Sequence, residues 1–356
     1  MVWQGPFERT GGENFQIVWR DKPYYNIKTR YKESRIINPA IRRYWPQYKW
    51  SNINAMLKNM KKEPERCADS FGGKLVAITG ATSGIGLYAA RKYASMGARL
   101  ILINRNEEKS ERVCGELADG FGARADHIVA DLSSLEGMQG AGRRLAELGQ
   151  PIDVLIHNAG IHLEARQETA DGLETNFALH YLAPFVMTKT LMPKFSRDGR
   201  GRIIFVGSEG YRFAVWGLDL DDLQWERNRY SGLKAYGAGK LAQLLSMHIL
   251  ARELSPFGVT INAMHPGMVR TETGKDNGRF YQWYKKKFID VRSATPEISA
   301  EALYYLGAAK GLERTSDVFF HLTTEEELAP PARDMEVAQA LWDRTLALLD
   351  QRGVRL

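Results

Sequence analysis

The chain has 356 residues, 44% of them hydrophobic and 26% charged, with only two cysteines. This mixture excludes a low-complexity disordered chain and a disulfide-stapled scaffold, and so few thiols suit a reducing compartment. The formal charge is +7, and all of it lies in residues 1–73, where 14 Lys and Arg face 7 Asp and Glu while the remainder balances at 35 of each.

Residues 1–73 read as a basic, aromatic-rich extension. They hold Trp3, Trp19, Trp45 and Trp50, half of the chain's tryptophans. Such aromatic content argues against simple disorder. The run Arg42-Arg43-Tyr44-Trp45-Pro46-Gln47-Tyr48-Lys49-Trp50 suits two roles. It can lie on an anionic membrane surface, where each basic residue contributes about 1 kcal/mol, or it can wrap the core or a sister subunit. No recognition motif accompanies the charge, so nucleic acid is not an expected partner. No stretch approaches the roughly 20 apolar residues of a spanning helix, and Met1–Arg9 lacks the apolar core of a signal peptide. The expectation is a cytoplasmic protein with scope for peripheral membrane contact.

From residue 74 the pattern changes to alternating short apolar runs and helical stretches. Strands are predicted at 74–79, 99–104, 127–131, 152–157, 202–207, 259–264 and 318–322. Helices are predicted at 87–97, 107–117, 136–148, 172–195, 235–254, 296–309 and 334–349. Such alternation specifies an α/β fold, a single Rossmann-type doubly wound parallel sheet of about seven strands with helices on both faces. Ligands then bind at the carboxyl ends of the strands. One domain, 74–356, follows the extension.

Between the first strand and its helix stands Gly80-Ala81-Thr82-Ser83-Gly84-Ile85-Gly86. A strand, a glycine-rich turn and a helix N-terminus form an anion site, because backbone N–H groups and the positive end of the helix dipole converge there. Further on, Tyr236 and Lys240 are spaced i and i+4, so they share a helix face. A phenol of pKa near 10 is a poor acid–base group at neutral pH. An ammonium about 4 Å away, at an effective dielectric near 20, favours the phenolate by roughly 4 kcal/mol, which is about three pKa units.

The order of motifs carries more than any one of them. Thr79-Gly80-x-x-x-Gly84-x-Gly86 is followed by Asp131-Leu132, Asn158-Ala159-Gly160, Ser208 at a strand end, Tyr236-x-x-x-Lys240 and His265-Pro266-Gly267. Over four fifths of its length the chain resembles the short-chain dehydrogenase/reductase family. Thr169–Glu174 and the insert containing Asp221-Asp222-Leu223 look most like the retinol-dehydrogenase-like branch. The resemblance implies hydride transfer between a nicotinamide and the carbonyl or alcohol carbon of a small hydrophobic substrate. It implies that Ser208 donates a hydrogen bond to the substrate oxygen and that Tyr236 delivers the proton. Lys240 would hold the nicotinamide ribose and keep the tyrosine acidic. It further implies cofactor contacts at Gly80, Thr82, Ser83, Gly84, Ile85, Gly86, Asp131, Leu132, Asn158, Ala159, Gly160, Tyr236, Lys240, Pro266, Gly267, Val269 and Thr271. In the family the two long central helices commonly pair subunits, so a homo-oligomer is also implied. A non-catalytic NAD(P)-binding sensor or structural subunit that keeps the fold is the alternative, against which Ser208, Tyr236 and Lys240 stand intact.

Cofactor choice is read at the end of the second strand. NAD sites usually place a carboxylate there, whereas Ile103-Asn104-Arg105-Asn106 offers a guanidinium suited to a 2′-phosphate. NADP(H) is therefore preferred and NAD(H) tolerated, with Arg105 and Asn104 as the contacts.

Two departures from the family pattern matter. His180 occupies the place of the family's fourth catalytic residue, an asparagine whose main-chain carbonyl holds a water linked to the lysine. Pro184 lacks the N–H that would bond the carbonyl of residue 180, so the relay survives on backbone; a packed core histidine is the other reading, and Asn176 is a second candidate amide. His157 replaces a family asparagine and is expected to alter packing only. Aromatic residues at 211–216 and 280–288 suggest a bulky apolar substrate such as a retinoid, steroid, isoprenoid or lipid aldehyde. No histidine or cysteine set has metal-ligand spacing, and no metal is expected.

Overall fold

The computed structural model describes residues 39–49, 58–59, 62–267 and 295–356. A short helix α1 (Pro39–Tyr44) precedes the sheet, and α/β units follow: β1 (Leu75–Thr79), α2 (Gly84–Ser95), β2 (Arg99–Asn104), α3 (Glu107–Phe121), β3 (Ala125–Val129), α4 (Leu135–Ala146) and β4 (Val154–His157). Then come α5 (Thr175–Phe177), a π-wound turn (Ala178–Leu182), α6 (Ala183–Asp198), β5 (Gly201–Val206), α7 (Gly232–Leu254) and β6 (Val259–His265). The chain closes with α8 (Pro296–Ala308), β7 (Phe319–His321), β8 (Thr324–Glu325) and α9 (Met335–Gln351).

The strands lie in the order β3-β2-β1-β4-β5-β6-β7-β8. All pairs are parallel except β7 with β8. The order reverses direction between β1 and β4, which opens a crevice at their carboxyl ends. Every residue of β1, β4 and β6 is buried, which is why these strands read as near-continuous apolar runs rather than alternating ones. One face of the sheet is covered by α4, α6, α7 and α9, the other by α2, α3 and α8.

Local chemistry sets the helix ends. The Asn106 side chain accepts from Lys109 N at 2.8 Å to start α3, and Gly122, at φ +62°, ends it. Asp171 accepts from Leu135 N at 2.7 Å and satisfies a first-turn amide of α4 from a distant loop. Glu174, fully buried, accepts from Asn176 N, Phe177 N and the Tyr230 hydroxyl at the start of α5.

The structure departs from the predicted elements in three places. The third strand ends at Val129, so Asp131 lies beyond it. The predicted helix 172–195 begins at Thr175 and passes through the π turn before α6. Pro184 explains the disturbance, because it supplies no N–H to the preceding turn. An eighth strand of two residues forms the sheet edge, too short to show in the pattern. The last helix forms where predicted, and α9 lies across the long central helices: Trp342 meets Phe185 edge-on at 4.8 Å, and Thr345 bonds the Tyr181 hydroxyl at 2.7 Å.

The described part of the extension packs against the rest of the molecule. Arg43 pairs with Asp334 and Glu336, and Tyr44 donates to Asp334 at 2.8 Å. Tyr48 donates to Val215 O at 3.0 Å. Asn59 donates to Glu326 at 3.2 Å, and Phe71 is buried edge-on to Tyr93.

Candidate active site

The glycine turn after β1 is braced from two sides. Gly80 has φ +68°, a left-handed conformation that favours glycine, and a Cβ there would stand 2.9 Å from Ala159 Cα. A Cβ at Gly86 would stand 2.3 Å from the Gly80 carbonyl oxygen and 2.5 Å from Asn158 Nδ2. Asn158 donates to Thr79 O at 3.0 Å and to Gly80 O at 2.9 Å. The Thr79 hydroxyl accepts from the amides of Asn158 and Ala159 in return. Ser83 is extended and makes no side-chain cap bond, and helix N-terminal amides left without such a cap can accept an anion. This cradle fits the pyrophosphate of a dinucleotide.

Asn104 serves the same turn. Its Oδ1 accepts from Ala81 N at 2.7 Å and its Nδ2 donates to Ser110 Oγ at 3.1 Å, with the residue buried. The carboxamide thus bonds at both ends, which places Asn104 in the support of the glycine turn. Arg105, the next residue, is exposed. Asp131 is exposed and its carboxylate accepts from Ser133 N and Ser133 Oγ, while Leu132 is buried beneath it.

Ser208, Tyr236 and Lys240 converge at the carboxyl ends of β4 and β5. Ser208 begins a 3-10 turn (Glu209–Phe213), and its Oγ accepts from Gly210 N at 3.0 Å. That bond uses an oxygen lone pair and leaves the hydroxyl proton available to an acceptor. The ideal Cβ point of Gly210 lies 3.0 Å from Ser208 Oγ and 2.5 Å from Tyr236 Cε1, so hydroxyl and phenol ring are neighbours. Lys240, one helical turn after Tyr236, is buried and donates to Val206 O at 2.6 Å. Burial pulls its ammonium down to about 7. The cation invoked to acidify the phenol is therefore itself poised to lose its proton near neutral pH.

His180 is brought to the same place. Its ring stands edge-on to Tyr236 at 5.0 Å, and its Nε2 lies 2.6 Å from Ile161 O. Burial, with Lys240 nearby, holds this imidazole neutral, well below its ordinary value. A neutral ring facing a carbonyl through Nε2 carries its proton there. Nδ1 is then an acceptor, buried and without a hydrogen-bond partner among the described residues. Asn176 is committed elsewhere, its Nδ2 donating to Glu174 and to the Tyr230 hydroxyl. His157 packs as expected, buried against Phe205 and within 3.2 Å of Thr188 Oγ1.

His162 went unnoticed in the motifs. It follows Asn158-Ala159-Gly160 by two residues, is buried, and meets Tyr236 edge-on at 5.4 Å. Its place just beyond a motif at the end of β4 is the signal that could have found it. At the end of β6, Pro266 and Gly267 are in place, Pro266 O accepting from Ser299 Oγ at 2.7 Å. Val269, Thr271 and the aromatic run 280–288 lie outside the described residues.

The insert after Ser208 covers a cavity of about 260 Å³ lined by Phe177, Phe213, Trp216, Leu223, Trp225 and Ala238, among others. It opens on the Ala235–Ala242 side of α7, beside rather than over the Tyr236–Lys240 face. Tyr211, expected near substrate, is core: it accepts from Ala329 N at 2.9 Å and stacks edge-on with Phe319. Glu107, Glu111 and His127 bring ligand atoms within 4.8 Å of one another between α3 and β3, with both acids exposed.

This arrangement of glycine turn, strand-end serine and Tyr-x-x-x-Lys helix has counterparts among known proteins. The short chain dehydrogenase model matches residues 74–217 and 224–282, more than half of the chain. The chain belongs to the short-chain dehydrogenase family. It is 32% identical to mouse retinol dehydrogenase 13 over 78% of this chain and 84% of that one. It is 34% identical to mouse polyprenol dehydrogenase over 79% and 85% of the two chains. A Beutenbergia cavernae structure described as an NAD(P)-dependent gluconate 5-dehydrogenase, with NADP bound at low occupancy, aligns with a TM-score of 0.57 and 27% identity. That alignment covers 71% of this chain and 96% of the other. As a member of this family the protein is an NAD(P)-dependent oxidoreductase acting on CH–OH and C=O groups, within the retinol-dehydrogenase-like branch.

Proposed function

We propose that the protein prefers NADP(H) and interconverts bulky apolar carbonyls and alcohols, of retinoid, steroid, isoprenoid or lipid type. The observation that carries this reading is the convergence of the Ser208 hydroxyl and the Tyr236 ring beside a glycine cradle, with Lys240 buried one turn away. The bound cofactor supplies the hydride. Ser208 donates a hydrogen bond to the substrate oxygen, and Tyr236 gives that oxygen a proton as the carbon is reduced. Lys240 stabilises the resulting phenolate. His180 and His162 wall the phenol against bulk water, and the π turn at Ala178–Leu182 supports the main chain of residue 180 as the relay contact.

NADP(H) preference rests on exposed Arg105 at the end of β2, where no carboxylate stands. The apolar substrate class draws support from the names of the retinol and polyprenol relatives. Residues 1–73 are an extension serving the domain 74–356, since its described parts bond to the insert, to the start of α9 and to the β8 edge. Among the described residues no helix is long and apolar enough to cross a membrane. Exposed Arg42, Trp45 and Lys49 suit contact with an anionic membrane surface, which flotation with phosphatidylserine vesicles, before and after truncation of the extension, tests. The chain's own α9, lying across α6 and α7, favours a monomer over the pairing that the resemblance implies, and a dimer in sedimentation velocity would overturn this.

Equilibrium binding of NADPH and NADH, then turnover of long-chain and short-chain aldehydes, tests the whole reading. Tighter NADPH binding and faster turnover of the long chains are expected. Tighter NADH binding, or activity confined to small polar carbonyls, would contradict it.

A further inference from the structure

Immediately beyond Ser208 the 3-10 turn carries a half-buried charged cluster that the chemistry above does not use. Arg212 folds back to bond Glu209 through its Nε, and its second arm donates to Glu326 at 3.1 Å. The Glu326 side chain is 2% exposed. Glu326 also accepts from Asn59 at 3.2 Å, so the cluster reaches the extension. The Glu209 amide points to His265 Nδ1 at 3.3 Å, and His265 stands beside His321. The Arg212 guanidinium lies 4.9 Å from the Tyr211 ring centroid, and that ring is anchored in turn by Ala329 N.

The same turn sets the two reacting groups. Gly210 sits between Ser208 Oγ and the Tyr236 ring, and Gly237 of α7 lets the turn approach so closely that a Cβ there would stand 2.8 Å from Gly210 O. A shift of the turn therefore moves the serine hydroxyl relative to the phenol.

We propose that Arg212, clasped between Glu209 and Glu326 and tied through Glu326 to Asn59, is a positioning residue that fixes the Ser208 hydroxyl against Tyr236. This rests on the reading that Ser208 and Tyr236 face the reacting carbon. The clasp is sensitive to pH. Burial pushes the Glu209 carboxyl up to about 7, opposed by Arg212 and aided by Glu326. The Glu209–Arg212 ion pair is complete above that pH and is lost as pH falls through it. The charged and titratable groups facing Glu209 are Arg212, Glu326, Tyr211 and His265.

The test uses the full chain, assayed with NADPH and a long-chain aldehyde. Arg212→Met should lower kcat about tenfold, in line with the cost of small misplacements at a reacting centre. NADPH affinity should stay within about twofold, because the glycine cradle is untouched, and Arg212→Lys should recover part of the loss. Glu326→Gln keeps the acceptor but removes a like charge beside Glu209, so the acid limb of the kcat/KM profile should move to lower pH. Hydrogen–deuterium exchange gives a readout independent of turnover: amides of residues 209–213 should lose protection in Arg212→Met while those of 79–86 keep theirs. Unchanged exchange at 209–213, or an unmoved acid limb in Glu326→Gln, would overturn the clasp. Should the wild type turn over no apolar carbonyl, the functional reading fails, and the exchange comparison still decides whether the clasp holds the turn.

Discussion

Around the glycine turn, bonds run between neighbouring strands and their own loops: Asn158 to Thr79 and Gly80, Asn104 to Ala81. Around the insert after Ser208 they run to distant chain: Tyr48 to Val215, 167 residues away, and Asn59 to Glu326, 267 away, with Arg212 completing the link. The side chains of the glycine turn bond within the sheet and its loops, whereas the insert is tied directly to segments from both ends of the chain. A fold divided this way can change its substrate loops without disturbing nucleotide binding, because the bonds that shape each side are separate.

Substitutions that strike one side alone test this division. The largest effect is expected from Tyr236→Phe, which removes the principal proton donor and should lower kcat by roughly 10²- to 10⁴-fold. NADPH binding to that variant, followed by fluorescence titration, should be nearly unchanged; full activity would remove the tyrosine from its role. Gly86→Ala strikes the other side. Its Cβ would meet the Gly80 carbonyl at 2.3 Å, against backbone that cannot yield cheaply. Overpacking of this kind costs about 1–3 kcal/mol, so calorimetry should show weaker NADPH binding and a lower Tm. An undiminished NADPH affinity would mean that the cradle is not the pyrophosphate site.

A smaller effect is expected in the pH profile of Lys240→Arg. Burial lowers Lys240 to about 7, so its ammonium is present below that pH and lost as pH rises through it. Because kcat/KM reports the free enzyme, the wild type should lose activity on the alkaline side of about pH 7. Arginine keeps its charge to above about pH 12, and its residual activity should lose that alkaline limb. A limb that stays in place would assign it to another group.

The same division explains what was legible in the sequence. The turn 80–86, Asn158 and the Tyr236–Lys240 pair are local patterns, set by glycine spacing, strand ends and helix periodicity, and the structure brings them together as expected. The bracing of the turn by Asn104 was not legible, because it depends on Ala81 and Ser110 closing on that side chain after folding. Pro184 pointed to a disturbed carbonyl at residue 180 without revealing that the helix widens to a π turn there. The clasp at Arg212, the covering of the central helices by α9 and the docking of Tyr44, Tyr48 and Asn59 join residues far apart in sequence. Such contacts leave no periodicity to read, and the two-residue edge strand is too short to have one.

Hydride delivery to an apolar carbonyl is the claim on which the rest depends, and isotope transfer tests it most directly. NADPH deuterated at both C4 positions is incubated with the wild type and a long-chain aldehyde, and the alcohol is analysed by mass spectrometry. One deuterium at the carbinol carbon is the expected result, with the yield of labelled alcohol strongly reduced in Tyr236→Phe. Alcohol that carries no deuterium, or labelled alcohol that forms equally fast with Tyr236→Phe, would contradict it.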